Sequence, residues 1–157
     1  MMPKLSPPPP IRDPGSAHPV LGPSLGPYSY TVLGELAGLT QFGVHLEILH
    51  PGSRSSHRHW HEAEDEFLYM LAGEAVLIEE DETTLHPGDT VAWPANAPPG
   101  HCLENRSQRD ATYLIAGSRR MADTVHYPDA GLTLTITDRN HRRFTDAQGK
   151  TVAEYDR

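Results

Sequence analysis

A chain of 157 residues with a formal net charge of −8 is the size of a single domain, able to bury a core without disulfide or metal staples. That charge leaves no extended basic surface for nucleic acid. The lone cysteine, Cys102, excludes an internal disulfide framework and any thiolate-rich zinc or iron–sulfur site, and suits a reducing compartment. The opening MMPKLSPPPP has no apolar run fit for a signal peptide, and no later run is long enough to span a bilayer. A cytoplasmic protein with no membrane or nucleic-acid partner is expected.

Residues 1–27 carry nine of the 15 prolines and almost no apolar period. They should form an extended arm with polyproline character around Pro7 to Pro10, lying along the domain or a partner subunit. A docking peptide is the weaker reading, because no second recognition element flanks it.

From Tyr28 to the end, residues 28–157 read as one β-domain of short strands broken by turns. Phe42 to Leu49 (FGVHLEIL) alternates, with Val44, Leu46 and Ile48 on one side and His45, Glu47 and Leu49 on the other. Pro51-Gly52 punctuates it. Phe67 to Leu71 and Ala75 to Ile78 flank Gly73, EEDETT forms a charged hairpin, and His86 to Asp89 turns into Thr90 to Trp93. Ala111 to Ala116 and Leu132 to Thr137 follow. Strands this short and this closely spaced predict a β-sandwich or small barrel.

The stretch HRHWHEAEDE, His57 to Glu66, is the chemically loaded one. His59 and His61 share parity, so on a strand both imidazoles project from one face. Glu66 opens the next strand and can be brought alongside them, which supplies nitrogen and oxygen donors without any cysteine. A fourth ligand is expected from His101, which is reached through the loop Pro94-Ala95-Asn96-Ala97-Pro98-Pro99-Gly100.

These blocks resemble a known family. Gly52…His59-x-His61-x4-Glu66-x6-Gly73 is similar to the first motif of the cupin superfamily, and Gly88-x5-Pro94…His101-x3-Asn105 is similar to the second. The run Ser55 to Glu74, with Gly117-Ser118-Arg119 and Tyr127-Pro128-Asp129, resembles a group of small single-domain bacterial cupins. Two departures stand out. Six residues separate Gly52 from His59 where the pattern has five, and the Pro94 to His101 loop is two residues longer, with Asn96 where glycine is usual. Asn tolerates the left-handed region better than most residues, so neither change removes a ligand.

The resemblance implies an all-β double-stranded β-helix, a jelly-roll barrel. It also implies one divalent metal per chain held by His59, His61, Glu66 and His101, of a kind that takes Fe(II), Mn(II), Ni(II), Co(II), Cu(II) or Zn(II). A symmetric homodimer is expected, as is common in cupins. The implied function is a small-molecule metalloenzyme whose ion acts as a Lewis acid, of isomerase, epimerase or lyase type. Fe(II)-dependent dioxygenase chemistry and a non-catalytic binding or sensing module are the alternatives.

Outside the ligand set, His57 and Tyr113 are the candidates for catalytic roles. His57 shares the ligand parity but is equally readable as an exposed residue at a strand start. Tyr113 is readable as pointing into the barrel or packing outside it. Whether His45 and Glu47 line the cavity is left open. Asp65 has the wrong parity to replace Glu66, and Cys102 should pack in the core. Asn105 should fix a turn, and Arg119 is readable as a substrate-anion partner or a surface ion pair.

Overall fold

A computed structural model describes residues 4–157. The alternating runs become strands that stack as two layers. β2 (Tyr28–Val32), β3 (Phe42–Leu49), β5 (Glu66–Ala72), β8 (Thr90–Trp93) and β10 (Ala111–Ser118) form one sheet, joined at its edge by β1 (Ile11–Asp13), in the order β1-β2-β3-β10-β5-β8. Facing it are β7-β6-β9, built from Glu82–Leu85, Ala75–Ile78 and Cys102–Glu104. Beside these lies β14-β13-β12-β11-β4, built from Thr151–Asp156, His141–Asp146, Leu132–Thr137, Asp123–Tyr127 and Trp60–His61. Single bridges Arg54↔Glu104 and His59↔His101 tie these last two sheets into one wall. The result is the antiparallel jelly-roll barrel the motifs imply. Among the described residues no helix is long and apolar enough to cross a membrane.

Period-2 alternation decides what faces the interior. On β5, Leu68 and Met70 are almost wholly buried, while Phe67, Tyr69 and Leu71 remain exposed on the outer face. Glu66 shares the parity of Leu68 and Met70 and is therefore directed inward. On β3 the side carrying His45, Glu47 and Leu49 faces the interior, with Leu49 in the core. Gly73 closes the β5–β6 turn at φ +70°, where an added Cβ would lie 2.1 Å from the Asp110 carbonyl oxygen. Only glycine fits there.

One feature departs from the expected layout, a second core of Val125, Leu134 and Phe144 on which Val20 and Leu21 of the arm pack; the arm itself lies along the domain, with Ile11–Asp13 pairing with Tyr28–Tyr30. That second core belongs to an antiparallel meander, β11 to β14, of which only Leu132 to Thr137 was anticipated. HRRFTD (β13) and TVAEYD (β14) are mostly polar, and in β13 only Phe144 is fully buried. Their apolar pattern is too sparse to announce a strand.

Candidate metal centre

Three short segments deliver the ligand-type side chains. Residues 55–58 are bends, and the extended backbone begins only at His59, which exchanges backbone hydrogen bonds with His101 (N–H to O, 3.2 and 2.9 Å). Gly100 permits this approach, since a Cβ there would meet the His59 nitrogen at 3.1 Å. The loop before it is tied down by Asn96 N–H to the His61 carbonyl (2.8 Å) and by Ala95 N–H to Asp65 Oδ1 (2.7 Å). Asn96 sits at φ 59°, the left-handed conformation expected of the residue replacing glycine. Asp65 thus serves the loop, and Glu66 faces the imidazoles.

His59, His61 and Glu66 each offer a ligand atom within 4.8 Å of the other two. His101 Nε2 lies 2.9 Å from Glu66 Oε2, and His61 Nε2 lies 3.8 Å from the same oxygen. Glu66 Oε2 is buried yet has no aligned hydrogen-bond partner, so a carboxylate lone pair points into the cluster unsatisfied. Buried polar groups are rarely left so.

The outer ring nitrogens fix the tautomers. His59 Nδ1–H donates to the His57 carbonyl at 2.8 Å, and His61 Nδ1 is 2.5 Å from Asp123 Oδ2. Both interactions leave Nε2 free for the interior, the arrangement in which a carboxylate or carbonyl orients a metal-binding imidazole. Asp123 is itself held by the Ala63 and Thr124 N–H groups on Oδ1. The His101 ring stacks on Trp93 at 3.7 Å and 8°, and the Trp93 indole N–H is anchored on Glu79.

Electrostatics favour the ligand forms of His59 and Glu66. Burial lowers His59 to about 4 against the pull of Glu66, so its imidazole is neutral at neutral pH. Burial would raise the Glu66 carboxyl, but the His101 contact and the neighbouring imidazoles outweigh it and bring it down to about 2. For His61, burial opposes the cation, while Asp123 and Glu66 together raise the ring above its usual value. The neutral His59 imidazole, the ionised Glu66 carboxylate, the His61 imidazole oriented by Asp123 and the His101 imidazole beside Glu66 are a donor set able to hold one divalent ion.

Asp123→Asn should weaken divalent-metal binding about 10- to 100-fold, the usual cost of losing such an orienting partner. Competition with a chelating dye measures it, and an affinity equal to that of the parent protein would show that Asp123 does not orient His61 for a metal.

The other candidates are sorted by the fold. Tyr113 points inward, fully buried, and its hydroxyl donates to Glu47 Oε2 at 2.8 Å. Burial and that carboxylate push its phenol well above the usual range, so it keeps its proton. Tyr113 and Glu47 line a cavity of about 150 Å³ with His59, Glu66 and His101. His57 is placed elsewhere: the bends at 55–58 break the strand parity, and its side chain lines a separate cavity under the arm with His18 and Tyr127. Cys102 is buried, and its thiol is raised by that burial. Asn105 bridges backbone carbonyls in a turn. Arg119 pairs with Glu35 at 2.6 Å. Asp123 was missed from sequence because it lies in β11, outside both motifs.

The chain matches the model of the cupin domain over residues 45–117. No functionally curated protein matches it. Among solved structures it is similar to a sugar phosphate isomerase of the cupin superfamily from Silicibacter pomeroyi, with 35% identity and a TM-score of 0.83 over 92% of this chain and 93% of that one. It is also similar to a candidate sugar phosphate isomerase from Acidithiobacillus ferrooxidans, with 30% identity and a TM-score of 0.75 over 81% of each chain. Full-length similarity at this level, joined to the barrel and its two motifs, means that the chain belongs to the cupin superfamily.

Proposed function

We propose that this protein is a metal-dependent isomerase of sugar phosphates, with His59, His61, Glu66 and His101 holding one divalent ion. The observation that carries this reading is the setting of Glu66. Its carboxylate borders a cavity of about 260 Å³ whose wall also holds His45, Glu47 and Glu64, so proton-carrying groups stand beside the metal-type donors. Bound there, a divalent ion would supply Lewis-acid polarisation of a sugar carbonyl or hydroxyl oxygen.

Interconverting an aldose and a ketose moves one proton between neighbouring carbons, which needs a base within reach of both. Glu47 is that base in this reading: it lines both cavities next to Glu66. Tyr113, which keeps its proton, positions the Glu47 carboxylate by donating to it. The substrate class is taken from the two similar solved structures.

The test follows metal-loaded protein with tetrose to hexose phosphates by proton NMR in D₂O. Aldose–ketose interconversion, with solvent deuterium entering at the carbon beside the carbonyl, is expected. It should disappear in Glu47→Gln while metal stays bound. Absence of interconversion across the panel would overturn the reading, and saturable binding without turnover would favour the binding-module alternative.

Metal affinity should also track protonation. Below the raised pKa of His61 the ion must displace one proton, so affinity should fall about tenfold per pH unit. Below about 4, where His59 also takes a proton, the slope should steepen. Metal titrations from pH 8 to about 3 measure this, and a flat profile would contradict it.

A second copy of the chain is the proposed partner of the exposed Phe67, Tyr69 and Leu71 strip. Light scattering at micromolar concentration should therefore return twice the 17.3 kDa chain mass, and a monomer mass would count against it.

A further inference from the structure

The largest cavity bordering the proposed site is about 640 Å³ and lies between β2–β3 and the C-terminal meander. This is within the usual range for small-molecule sites. Five of the chain's thirteen cationic side chains line it: Arg119, Arg120, Arg139, Arg142 and Arg157. The same wall carries four carboxylates, Glu35, Glu47, Glu64 and Asp123, so its formal excess is one positive charge, and what matters is how the arginines are partnered.

Those carboxylates offset much of the charge, but apart from Glu35 they are engaged away from the guanidinium groups. Glu35 is paired with Arg119, Asp123 with His61, and Glu47 accepts from Tyr113, while Glu64 accepts the backbone N–H of Arg120. Among the described residues, Arg120, Arg139, Arg142 and Arg157 have no carboxylate within ion-pair distance. The Arg139 and Arg142 guanidinium groups reach only backbone carbonyls. Guanidinium groups without a directly paired carboxylate keep donors that a bound anion can take up through charge-assisted hydrogen bonds.

The cavity is continuous with the metal-type cluster. His45, Glu47, Glu64 and Arg119 line both it and the smaller space that reaches Glu66. The sheet register sets the scale. Asp123, which holds His61, lies opposite Ile136, and Ile136 lies opposite Arg142. Two inter-strand steps place the Arg142 backbone about 10 Å from that of Asp123.

From this we infer that Arg120, Arg139 and Arg142 form the subsite for the phosphate of the substrate. The substrate is accordingly a sugar phosphate esterified at the end remote from its carbonyl. This inference rests on the isomerase reading for the identity of the sugar, but the anion site itself does not.

Two measurements separate them. Inorganic phosphate is titrated into metal-free protein by calorimetry, so that no ion can bind it, for the parent chain, the exposed-arginine double variant R120Q/R139Q, and R142Q alone. Arg143→Gln, one residue along β13 and outside the cavity, is the control. Saturable binding that weakens at least tenfold in the double variant and in R142Q, and not in the control, is expected. Absence of binding to the parent protein, or equal weakening in the control, would overturn the inference. Metal affinity of the variants should match the parent, which reports that the fold is kept.

In the metal-loaded protein, the double variant should raise KM for ribose 5-phosphate at least tenfold with a smaller change in kcat. An unchanged KM would also overturn the inference. If no variant and no parent protein isomerises any sugar phosphate, the isomerase reading fails, and the phosphate titration alone then decides the anion site.

Discussion

Glu66→Gln should bind divalent metal at least about 100-fold more weakly than the parent protein, because a direct anionic ligand should matter more than an orienting partner, whose loss costs 10- to 100-fold. The side chains have nearly the same volume, so the barrel is expected to persist with unchanged far-UV circular dichroism. What is lost is, among the described residues, the only carboxylate that stands within 4 Å of both His61 and His101. The metal-free protein should respond in a second way. Glu66 is held near 2 in the fold against an ordinary value of 4.5, so its ionisation stabilises the fold above about pH 4.5. That stabilisation fades as pH falls toward 2. The Gln variant should lack this acid-range dependence. Chelator competition and acid unfolding measure the two effects, and parental metal affinity in the variant would remove Glu66 from the ligand set.

Asn105→Ala should cost about 3–5 kcal/mol of stability, placing it among the most damaging single substitutions in the chain. Asn105 is completely buried. Its amide nitrogen donates to the Leu49 and Arg109 carbonyls, both at 2.7 Å. Its amide oxygen accepts from the Ser107 N–H and hydroxyl at 3.0 and 2.8 Å. Alanine removes all four partners and leaves two backbone carbonyls with less compensation inside the barrel. Denaturant unfolding reads the loss directly, and a change below 1 kcal/mol would show that the turn is held by its neighbours instead.

The ligand-type residues were readable in the sequence because the relevant physics is local. His59 and His61 differ by two positions on extended backbone, and Glu66 shares the parity of the inward-facing Leu68 and Met70. His101 follows a proline-rich loop whose end is set by Gly100. His57 shows where that logic stops: the bends at residues 55–58 end the alternation that would have grouped it with its neighbours. Asp123 and, apart from Arg119, the arginines of the large cavity were not readable. They come from the end of β10 and from a meander of polar strands, and only the register Asp123↔Ile136↔Arg142 brings them beside the site. Glu47 was half-readable. Its strand and parity were evident, but which side of FGVHLEIL faces inward is decided by the pairing of β3 with β2 and β10.

Whether four side chains share one ion beside the arginine-lined cavity is tested directly by anomalous diffraction from crystals of the full chain grown with Mn(II). A single strong peak per chain is expected at about 2.0–2.3 Å from His59 Nε2, His61 Nε2, His101 Nε2 and a Glu66 carboxylate oxygen. A peak held instead by His61, Glu64 and Asp123, the other group whose ligand atoms lie within 4.8 Å of one another, would contradict it, as would no peak from protein that binds the ion in solution.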